Sequence, residues 1–380
     1  MLAPNVFSNL EFVHVVESFS GGTMSAAIAL INEQVAMGSK CELIYLERKE
    51  SLNSRSIRKL LPPECKIKCL GNSTPWGLIK MFSQLTREIR NLRSNRIYHI
   101  HSSWAGMIGK VVLGRTKKSN LFYTPHGFSF IRGDIGNFKK KIFFLIEFIT
   151  NKLSYVDLIC TSQYEKSLAN KAGKSNSRVL LNSVDTVHLL KLRQEVYSGW
   201  SAIPRVGTLG RVTMAKNPER FARLSKLLNS RAKMKWIGDG ERELFKTVNG
   251  DLFEVTGWLH PAEALKALAN LDVFVLLSDW ESFPFCVIEA QSMGIPCIIW
   301  NFPSAHELVR SGTDGFIASS LSEISKIIDR LLTEVGLVDQ IKINAITKAK
   351  KDYSLTKFRE NMVLAYKLNE KQMRACIVSA

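Results

Sequence analysis

The chain has 380 residues, more than one hydrophobic core usually serves, so we expect two compact domains. Hydrophobic residues make up 46% and charged residues 23%, a balance that excludes a disordered or fibrous protein. No apolar run reaches the roughly 18 residues of a membrane-spanning helix, and the N-terminus lacks the pattern of a signal peptide. The seven cysteines form no CxxC pair, which favours reduced thiols in a cytosol over a disulfide scaffold.

Positive charge is concentrated in the first half of the chain. Residues 1–190 contain 26 Lys and Arg against 13 Asp and Glu, whereas residues 191–380 contain 26 against 21. This excess indicates an anionic partner such as a phospholipid surface, a phosphorylated acceptor or a nucleic acid, although charge for solubility alone would look the same. The basic residues are dispersed and no nucleic-acid-binding module is recognisable, so we do not expect DNA or RNA as a partner.

Short apolar runs alternate with amphipathic stretches along the first half. The runs predict strands at Phe12–Val16, Leu43–Leu46, Ile97–Ile100, Leu121–Thr124, Leu158–Cys160 and Val179–Leu181. The stretches between them predict helices, for example at Met24–Ala36, Leu78–Leu92, Lys139–Lys152 and Tyr164–Ala172. This alternation is typical of a parallel sheet covered by helices on both faces.

The second half repeats the pattern. Strands are predicted at Arg205–Leu209, Met234–Ile237, Leu252–Val255, Val273–Leu277 and Cys297–Ile299, and helices at Pro218–Leu228, Pro261–Ala269, Val287–Met293 and Leu321–Leu332. The polar segment Thr186–Ser201 lacks a strand pattern and is interpreted as the linker.

We therefore expect doubly wound α/β domains at residues 1–190 and 191–355. Residues 356–380 are expected to contain an amphipathic helix, at Thr356–Lys371, that packs back toward the first domain. Such sheets bind ligands beyond the carboxyl ends of their strands, so the cleft between the domains is the expected site.

Two carboxylates follow the predicted strand Val273–Leu277. Glu281 lies in the loop and Glu289 in the next helix, whose first N–H groups, near Phe285 and Cys286, favour a phosphate. Carboxylates beside a phosphate are unfavourable unless they accept hydrogen bonds from hydroxyl groups, which a sugar and a ribose provide. Alternatively, the two residues are ordinary polar groups of a helix start and a solvated helix face.

Two cations follow the predicted strand Arg205–Leu209. Arg211 comes directly after Gly210, and Lys216 comes five residues later, before Pro218 at a helix start. Two cations on one rim of a sheet suit a diphosphate and could replace a metal in neutralising it. Alternatively, they are two surface cations.

These motifs resemble glycosyltransferase family 4, whose GT-B fold consists of two facing Rossmann-like domains with an inter-domain cleft. The resemblance runs in consistent order from Phe12 to Leu368. It rests on Ser20–Thr23, His126–Gly127, Thr161–Ser162, Asn182–Asp185, Gly210–Arg211 with Lys216, Gly238–Gly240, Phe253–Trp258, and the pair Glu281 and Glu289 separated by seven residues. Within the family, the glycine loop and the His126 segment look like those of bacterial enzymes that build O-antigen, capsule or exopolysaccharide.

The resemblance implies a donor site with no metal and no cofactor beyond the nucleotide sugar. Arg211 and Lys216 would hold the donor diphosphate, and the glycine loop at Gly21 and Gly22 would let backbone approach it. The ribose and base would be bound by Glu289, Trp258 and Gly238.

The resemblance also implies which residues contact the transferred sugar. Glu281 would hydrogen-bond the sugar, aided by the backbone of Phe283, Pro284 and Phe285, and His126 would lie beside its anomeric region. Two positions depart from the family pattern. Pro284 removes one N–H donor, and Ser183 replaces a glycine in the Asn182–Asp185 turn.

The predicted helix Lys139–Lys152 is expected to contact a membrane surface. Lys139, Lys140 and Lys141 precede a cluster of bulky apolar residues, a pattern that suits an anionic bilayer. An ordinary sheet-covering helix with a solvated start is the alternative. His99 and His101, two residues apart on a predicted strand, are interpreted as core or strand-end residues, because no Cys, His or carboxylate set in the sequence completes a metal site.

Together these features predict a retaining, metal-independent glycosyltransferase. It would move a sugar from a nucleotide sugar, for which we expect UDP, to a hydroxyl group of a glycan acceptor linked to polyprenyl diphosphate, in bacterial surface polysaccharide synthesis. We expect a cytoplasmic protein that associates peripherally with the inner face of the membrane. A nucleotide-sugar 2-epimerase of the same fold and a non-catalytic partner in a sugar-assembly complex are the alternatives.

Overall fold

The computed structural model describes residues 7–48, 54–88, 92–115, 120–245 and 253–367. The described residues form two compact units. Unit 1 comprises residues 7–182 and 358–367, and unit 2 comprises residues 183–357.

Unit 1 contains a seven-stranded parallel sheet in the order β3-β2-β1-β4-β5-β6-β7. The strands are β1 (Glu11–Val16), β2 (Lys40–Glu47), β3 (Lys66–Asn72), β4 (Arg96–His101), β5 (Asn120–Thr124), β6 (Val156–Cys160) and β7 (Arg178–Val179). The helices that accompany them are α1 (Gly21–Ala36), α2 (Ser54–Leu60), α3 (Pro75–Glu88), α4 (Ser103–Val112), α5 (Asn137–Lys152) and α6 (Gln163–Lys171).

The strands of unit 1 are apolar on both faces because each face is covered. Phe12 and Val16 of β1 belong to one hydrophobic cluster. Val13 and Val15, which alternate with them, belong to a second cluster. Successive side chains of a strand point to opposite faces, so the two clusters are the two faces of the sheet.

Unit 2 contains a six-stranded parallel sheet in the order β10-β9-β8-β11-β12-β13. Its strands are β8 (Arg205–Leu209), β9 (Lys233–Ile237), β10 (Glu254–Val255), β11 (Val273–Leu276), β12 (Cys297–Trp300) and β13 (Phe316–Ala318). Its helices are α7 (Thr186–Val196), α8 (Pro218–Leu228), α9 (Pro261–Ala269), α10 (Phe285–Ser292), α11 (Ala305–Leu308), α12 (Leu321–Thr333) and α13 (Leu337–Asp352). A last helix, α14 (Leu355–Ala365), begins in unit 2 and continues in unit 1.

The strand order reverses once in each sheet. In unit 1 the reversal lies between β1 and β4, and in unit 2 it lies between β8 and β11. Loops that leave the carboxyl ends of such neighbouring strands diverge to opposite faces and open a crevice where ligands bind in this class of sheet. The reversal therefore places the loop after β8 beside the loop after β11, and the loop after β1 beside the loop after β4.

The predicted class, two doubly wound α/β domains, is confirmed, but several details differ. The strands β3 and β13 were not predicted, since β3 is a polar, partly exposed edge strand and β13 has three residues. The segment expected to be a linker contains helix α7, and the units divide after Asn182 rather than after residue 190. Phe358, Met362 and Tyr366 near the C-terminus belong to a hydrophobic cluster of unit 1. Parts of three predicted elements, at residues 89–91, 252 and 368–371, lie outside the described residues.

Candidate functional site

The loop after β8 in unit 2 is shaped by close backbone approaches. Gly210 has φ +147°, and a Cβ there would lie 3.0 Å from Cε of Lys216. Gly238, after β9, has φ +130°, and a Cβ there would lie 2.3 Å from the carbonyl oxygen of Gly210. The indole N–H of Trp236 donates to the same oxygen at 2.9 Å. Glycine at both positions is therefore required for the two loops to cross, and the crossing lays Lys216 against Gly210.

Lys216 forms an ion pair with Glu281, from the loop after β11. Its Nζ lies 2.7 Å from Oε1 of Glu281, and both side chains are largely buried. The hydroxyl of Ser278 donates to the same carboxylate oxygen at 2.8 Å, and the hydroxyl of Ser304 donates to the carbonyl oxygen of Glu281 at 3.1 Å. Three contacts thus fix Glu281 at the point where the strand order reverses.

The electrostatics of this pair keep Lys216 charged. Burial alone would lower the pKa of its ammonium group. Cys286, whose Sγ lies 3.8 Å from Nζ, and Glu281 outweigh burial and raise the pKa above its ordinary value. Lys216 therefore stays protonated, and its ammonium group lies beside Cys286 in the first turn of α10.

Glu289 lies in the second turn of α10. Burial raises the pKa of its carboxyl group to about 7, and the nearby positive charge of Lys216 only partly opposes this effect. At neutral pH the group is therefore divided between its acidic and ionised forms, so modest changes in its surroundings decide which form is present.

The remaining predicted residues of unit 2 lie in the loops after β8, β10 and β11 and at the start of α10. Arg211 follows Gly210 directly, and its Cγ lies 3.1 Å from the position that a Cβ on Gly240 would take. Trp258, after β10, is 55% exposed. Phe283 is buried against Tyr353, with ring centroids 5.8 Å apart, so its side chain belongs to the core and only its backbone could contact a sugar. Pro284 and Phe285 occupy the N-cap and the first position of α10.

The structure therefore brings Lys216, Glu281, Cys286 and Glu289 into one cluster. Sequence reasoning missed Ser278 and Ser304, which position Glu281. Ser278 had a signal, since it lies just after β11, at the edge where ligands bind. Ser304 lies 23 residues beyond Glu281 and had none.

In unit 1, His126 lies in the loop after β5 in an unusual backbone conformation. It has φ +54° and is followed by Gly127 with φ +94°. Residues other than glycine rarely adopt a positive φ, and such positions persist only when their surroundings hold them. Here the N–H of Gly127 donates to Oε1 of Glu165 at 2.6 Å, and the N–H of Thr161 donates to Oε2 at 2.7 Å. One carboxylate thus ties the His126 loop to the loop after β6.

The imidazole ring of His126 contacts a second histidine. Its Nε2 lies 2.9 Å from Nδ1 of His101, and the two rings stack with centroids 5.2 Å apart. Burial lowers the pKa of His126 to about 3, so the ring is neutral at physiological pH. His99 and His101 are both fully buried at the end of β4, as predicted, but His14 joins them there.

The glycine loop and the lysine segment of unit 1 are also described. Helix α1 begins at Gly21, which has φ +53°, and a Cβ on either Gly21 or Gly22 would meet no atom within 4 Å. Internal packing therefore does not require glycine at position 22. Lys139, Lys140 and Lys141 lie in the first turns of α5, and Lys139 and Lys141 are exposed.

Helix α5 also exposes a row of large apolar side chains. Phe138, Ile142, Leu145 and Ile149 are spaced by four, three and four residues, so they share one face of the helix. Trp76, Ile79 and Phe82 of α3 and Trp104 of α4 are exposed as well. Among the residues that the structure describes, no helix is both long enough and apolar enough to cross a bilayer.

Comparisons with known proteins identify the class of this fold. The family model described as "Glycosyl transferases group 1" matches residues 203–334, which include the cluster of unit 2. The solved structure of HepE from Anabaena in complex with UDP and glucose superimposes with a TM-score of 0.77 at 15% identity, covering 94% of this chain and 99% of that chain. The chain therefore has the GT-B fold, and residues 203–334 are similar to the group 1 glycosyl transferases.

Two curated bacterial proteins are similar in sequence. An uncharacterised 41.2 kDa protein in the cps region of Klebsiella pneumoniae is 27% identical over 94% of this chain and 98% of its own length. The UDP-Gal:α-D-GlcNAc-diphosphoundecaprenol α-1,3-galactosyltransferase of Escherichia coli is 28% identical over 72% of this chain and 74% of its own length. The resemblance predicted from the motifs is thus confirmed.

Proposed function

We propose that this protein transfers a sugar, with retention of anomeric configuration, from a UDP-sugar to a hydroxyl group of a polyprenyl-diphosphate-linked glycan. The reaction contributes to a bacterial surface polysaccharide. The observation that carries the proposal is the ion pair of Lys216 and Glu281 at the point where the strand order of unit 2 reverses, beside the start of α10. The galactosyltransferase from E. coli, whose name gives a UDP-sugar donor and a diphosphoundecaprenol acceptor, supports the choice of substrates.

The donor diphosphate binds to positive groups of unit 2. The ammonium of Lys216, the guanidinium of Arg211 and the first N–H groups of α10 meet the charge that develops on the leaving diphosphate. These groups perform the neutralisation that a metal ion provides in other enzymes, so the reaction proceeds without one. Glu289 accepts hydrogen bonds from the ribose hydroxyl groups, and Trp258 with the Gly238 loop borders the base.

Glu281 orients the transferred sugar. Its Oε1 is already engaged by Lys216 and Ser278, so the carboxylate is held in place before the sugar arrives. A carboxylate fixed in this way accepts hydrogen bonds from sugar hydroxyl groups with little reorganisation. The backbone of Phe283, Pro284 and Phe285 completes this part of the site.

Retention follows from attack on the same face that the diphosphate leaves. The hydroxyl oxygen of the acceptor bonds to the anomeric carbon while the bond to the diphosphate breaks, and the hydroxyl proton passes to the departing phosphate oxygen. His126 is neutral, because burial lowers its pKa to about 3, so it contacts the sugar through polar interactions and is not the acid of the reaction.

The acceptor is presented at a membrane surface. The exposed apolar row of α5 and the lysines at its start would contact the interface of an anionic bilayer, where a polyprenyl diphosphate is anchored. The net positive charge of residues 1–190 favours the same surface.

A screen of nucleotide sugars with polyprenyl-diphosphate-linked acceptors tests the proposal. We expect one donor to give a glycosylated lipid whose new linkage, determined by NMR, keeps the anomeric configuration of the donor. An inverted linkage would contradict retention. Conversion of the donor to its epimer without acceptor would favour a 2-epimerase. Failure to bind any nucleoside diphosphate in calorimetry would favour a non-catalytic partner.

A further inference from the structure

Four of the seven histidines of the chain lie together in unit 1. His14 lies on β1, His99 and His101 lie on the neighbouring strand β4, and His126 follows β5. Ring nitrogens of His101 lie 3.0 Å from Nδ1 of His14 and 2.9 Å from Nε2 of His126. The rings of His14, His101 and His126 thus form a hydrogen-bonded row, which we call the relay, that runs from the core to the loop after β5.

The row ends in the core at Gln34 of α1. Nε2 of His14 lies 2.7 Å from Oε1 of Gln34. The thiol of Cys41 donates to the same oxygen at 3.6 Å, and the amide nitrogen of Gln34 donates to the hydroxyl oxygen of Tyr366 at 3.1 Å. Burial raises the pKa of Cys41 to about 12, so the thiol keeps its proton and can donate it to the Gln34 oxygen. The amide oxygen of Gln34 is therefore hydrogen-bonded to His14 and Cys41, and its amide nitrogen is hydrogen-bonded to Tyr366.

The orientation of Gln34 fixes the proton positions along the whole row. Since the Gln34 oxygen is an acceptor, His14 donates its Nε2–H and can only accept at Nδ1. The same step repeats: His101 donates its Nε2–H to His14 and accepts at Nδ1 from Nε2–H of His126. A neutral imidazole carries one N–H, and burial keeps His14 and His126 neutral by lowering their pKa to about 4 and about 3.

We propose that Gln34, acting through His14 and His101, holds His126 in its Nε2-protonated tautomer and thereby presents Nδ1 as a hydrogen-bond acceptor for a substrate hydroxyl group. Among the described residues, Nδ1 of His126 has no hydrogen-bond partner, and the residue as a whole is half-buried. The inference rests on the proposed function for the identity of the hydroxyl group. Gln34, His14 and His101 are positioning residues that do not touch the substrate.

A metal ion is the other occupant that three clustered histidines suggest. One ligand nitrogen each from His14, His99 and His101 lies within 4.8 Å of the others. However, every ring nitrogen of the three is already hydrogen-bonded. His99 uses Nδ1 for the hydroxyl of Tyr366 at 2.7 Å and Nε2 for the hydroxyl of Thr124 at 2.8 Å. Metal binding would have to break several of these buried hydrogen bonds, so we assign the cluster to the relay.

Tyr366 gives the relay a second fixed point. Its hydroxyl oxygen accepts from the Gln34 amide at 3.1 Å and lies 2.7 Å from Nδ1 of His99. Tyr366 follows α14, so the C-terminal segment of the chain helps to set the orientation of the Gln34 amide.

Long-range ¹H–¹⁵N correlation spectra of the full-length protein, labelled at histidine with ¹⁵N, test the proposal without any activity measurement. We expect His14, His101 and His126 of the wild-type protein to carry the proton on Nε2. The His126→Ala variant assigns the signals of that residue. A proton on Nδ1 of His126 in the wild-type protein would overturn the proposal. Loss of the relay signals on addition of Zn²⁺ would also overturn it, in favour of a metal site.

Variants at Gln34 test whether that residue sets the tautomer. Gln34→Glu keeps an acceptor facing His14 and should leave the tautomers unchanged, whereas Gln34→Leu removes the acceptor and should release His126 into a mixture of both. Gln84→Leu is the matched control, because Gln84 is also a buried glutamine on a helix of unit 1 but bonds to Lys68 and Glu88. A single unchanged tautomer in Gln34→Leu would refute the role of Gln34. If that variant does not fold, the wild-type spectrum and Gln34→Glu decide the question.

Kinetics separate positioning from a general loss of structure. With the accepting nitrogen misplaced, Gln34→Leu should lower kcat by roughly 5- to 100-fold, as expected for one mispaired hydrogen bond. The affinity for UDP should stay unchanged, and Gln34→Glu should restore turnover. An equal loss of kcat in Gln84→Leu would contradict the proposal. Absence of transferase activity in the wild-type protein would refute the proposed function but leave the tautomer result intact.

Discussion

The Glu281 carboxylate lies 2.7 Å from the Lys216 ammonium, although the two residues come from different loops at the point where the strand order of unit 2 reverses. The pair raises the pKa of Lys216 and holds its charge beside the start of α10. A side chain that is charged, largely buried and fixed in direction can stabilise a developing negative charge with little reorganisation. The relationship therefore makes Lys216 the first residue to test.

Replacing Lys216 or Arg211 by alanine should reduce kcat/KM for the donor. The expected loss is about 2–4 kcal/mol of transition-state stabilisation, since each change removes one group that we propose to face the leaving diphosphate. Steady-state kinetics with the active nucleotide sugar would measure it. Lys226→Ala is the control, because Lys226 is an exposed lysine on α8 of the same unit. Turnover equal to that of the control would refute the diphosphate role.

Glu281→Gln should impair turnover more than nucleotide binding. The amide keeps the shape of the side chain but loses the charge that strengthens hydrogen bonds to sugar hydroxyl groups, a loss of about 2–3 kcal/mol in kcat/KM. Calorimetry with UDP, which carries no sugar, should give an affinity near that of the wild-type protein. Glu263→Gln breaks an exposed glutamate–lysine pair on α9 and serves as the control. Parallel losses of UDP affinity and turnover would argue against a sugar contact.

Glu289 should make donor binding depend on pH near neutrality. Burial raises its pKa to about 7, so the carboxylate, which we propose as the acceptor for the ribose hydroxyl groups, forms as the pH rises through 7. KM for the donor should therefore fall between pH 6 and pH 8 as ionisation proceeds, and Glu289→Gln should remove this dependence. A profile that is the same in both proteins would assign the titration to another group.

The raised pKa of Glu289 should also make the free energy of unfolding depend on pH. The pKa of Glu289 is raised from 4.5 in the unfolded chain, so its contribution to stability is complete below pH 4.5 and is lost as the pH rises through 7. Thermal unfolding should show Glu289→Gln gaining stability relative to the wild-type protein over that window. The opposite trend would mean that the carboxylate is stabilised in the folded state.

The sequence predicted the fold class because buried parallel strands are nearly continuous apolar runs. The predicted strand Arg205–Leu209 and the predicted helices Pro218–Leu228 and Pro261–Ala269 agree with the structure residue for residue. Prediction failed for β3, which is polar, and for α7, whose polar face resembled a linker. Apolar periodicity finds elements that are buried in a regular pattern and misses those at edges and between units.

The candidate site was predictable where its residues lie on the segments that follow β8 and β11. Arg211 and Glu281 lie just beyond β8 and β11, where ligands of this fold class bind. The relay that reaches His126 was not predictable, since His14 and His101 are 87 residues apart and Gln34 and Tyr366 are 332 residues apart. Each reads as an ordinary core residue of a strand or helix until the fold brings the side chains together.

Replacing Lys139, Lys140 and Lys141 by glutamine should reduce binding to vesicles that contain anionic phospholipid. Each basic residue near an anionic surface contributes about 1 kcal/mol, so the triple variant should lose binding most clearly at low salt. Phe138→Ser with Leu145→Ser removes apolar side chains from the exposed face of α5. This double variant should weaken binding to the same extent at low and at high salt.

The control variant replaces Lys326, Lys350 and Lys351, which are exposed in unit 2, and alters net charge equally. Sedimentation with neutral and anionic vesicles would measure all three. Equal losses in the control and α5 lysine variants would mean that overall charge, rather than this helix, attracts the protein to the membrane.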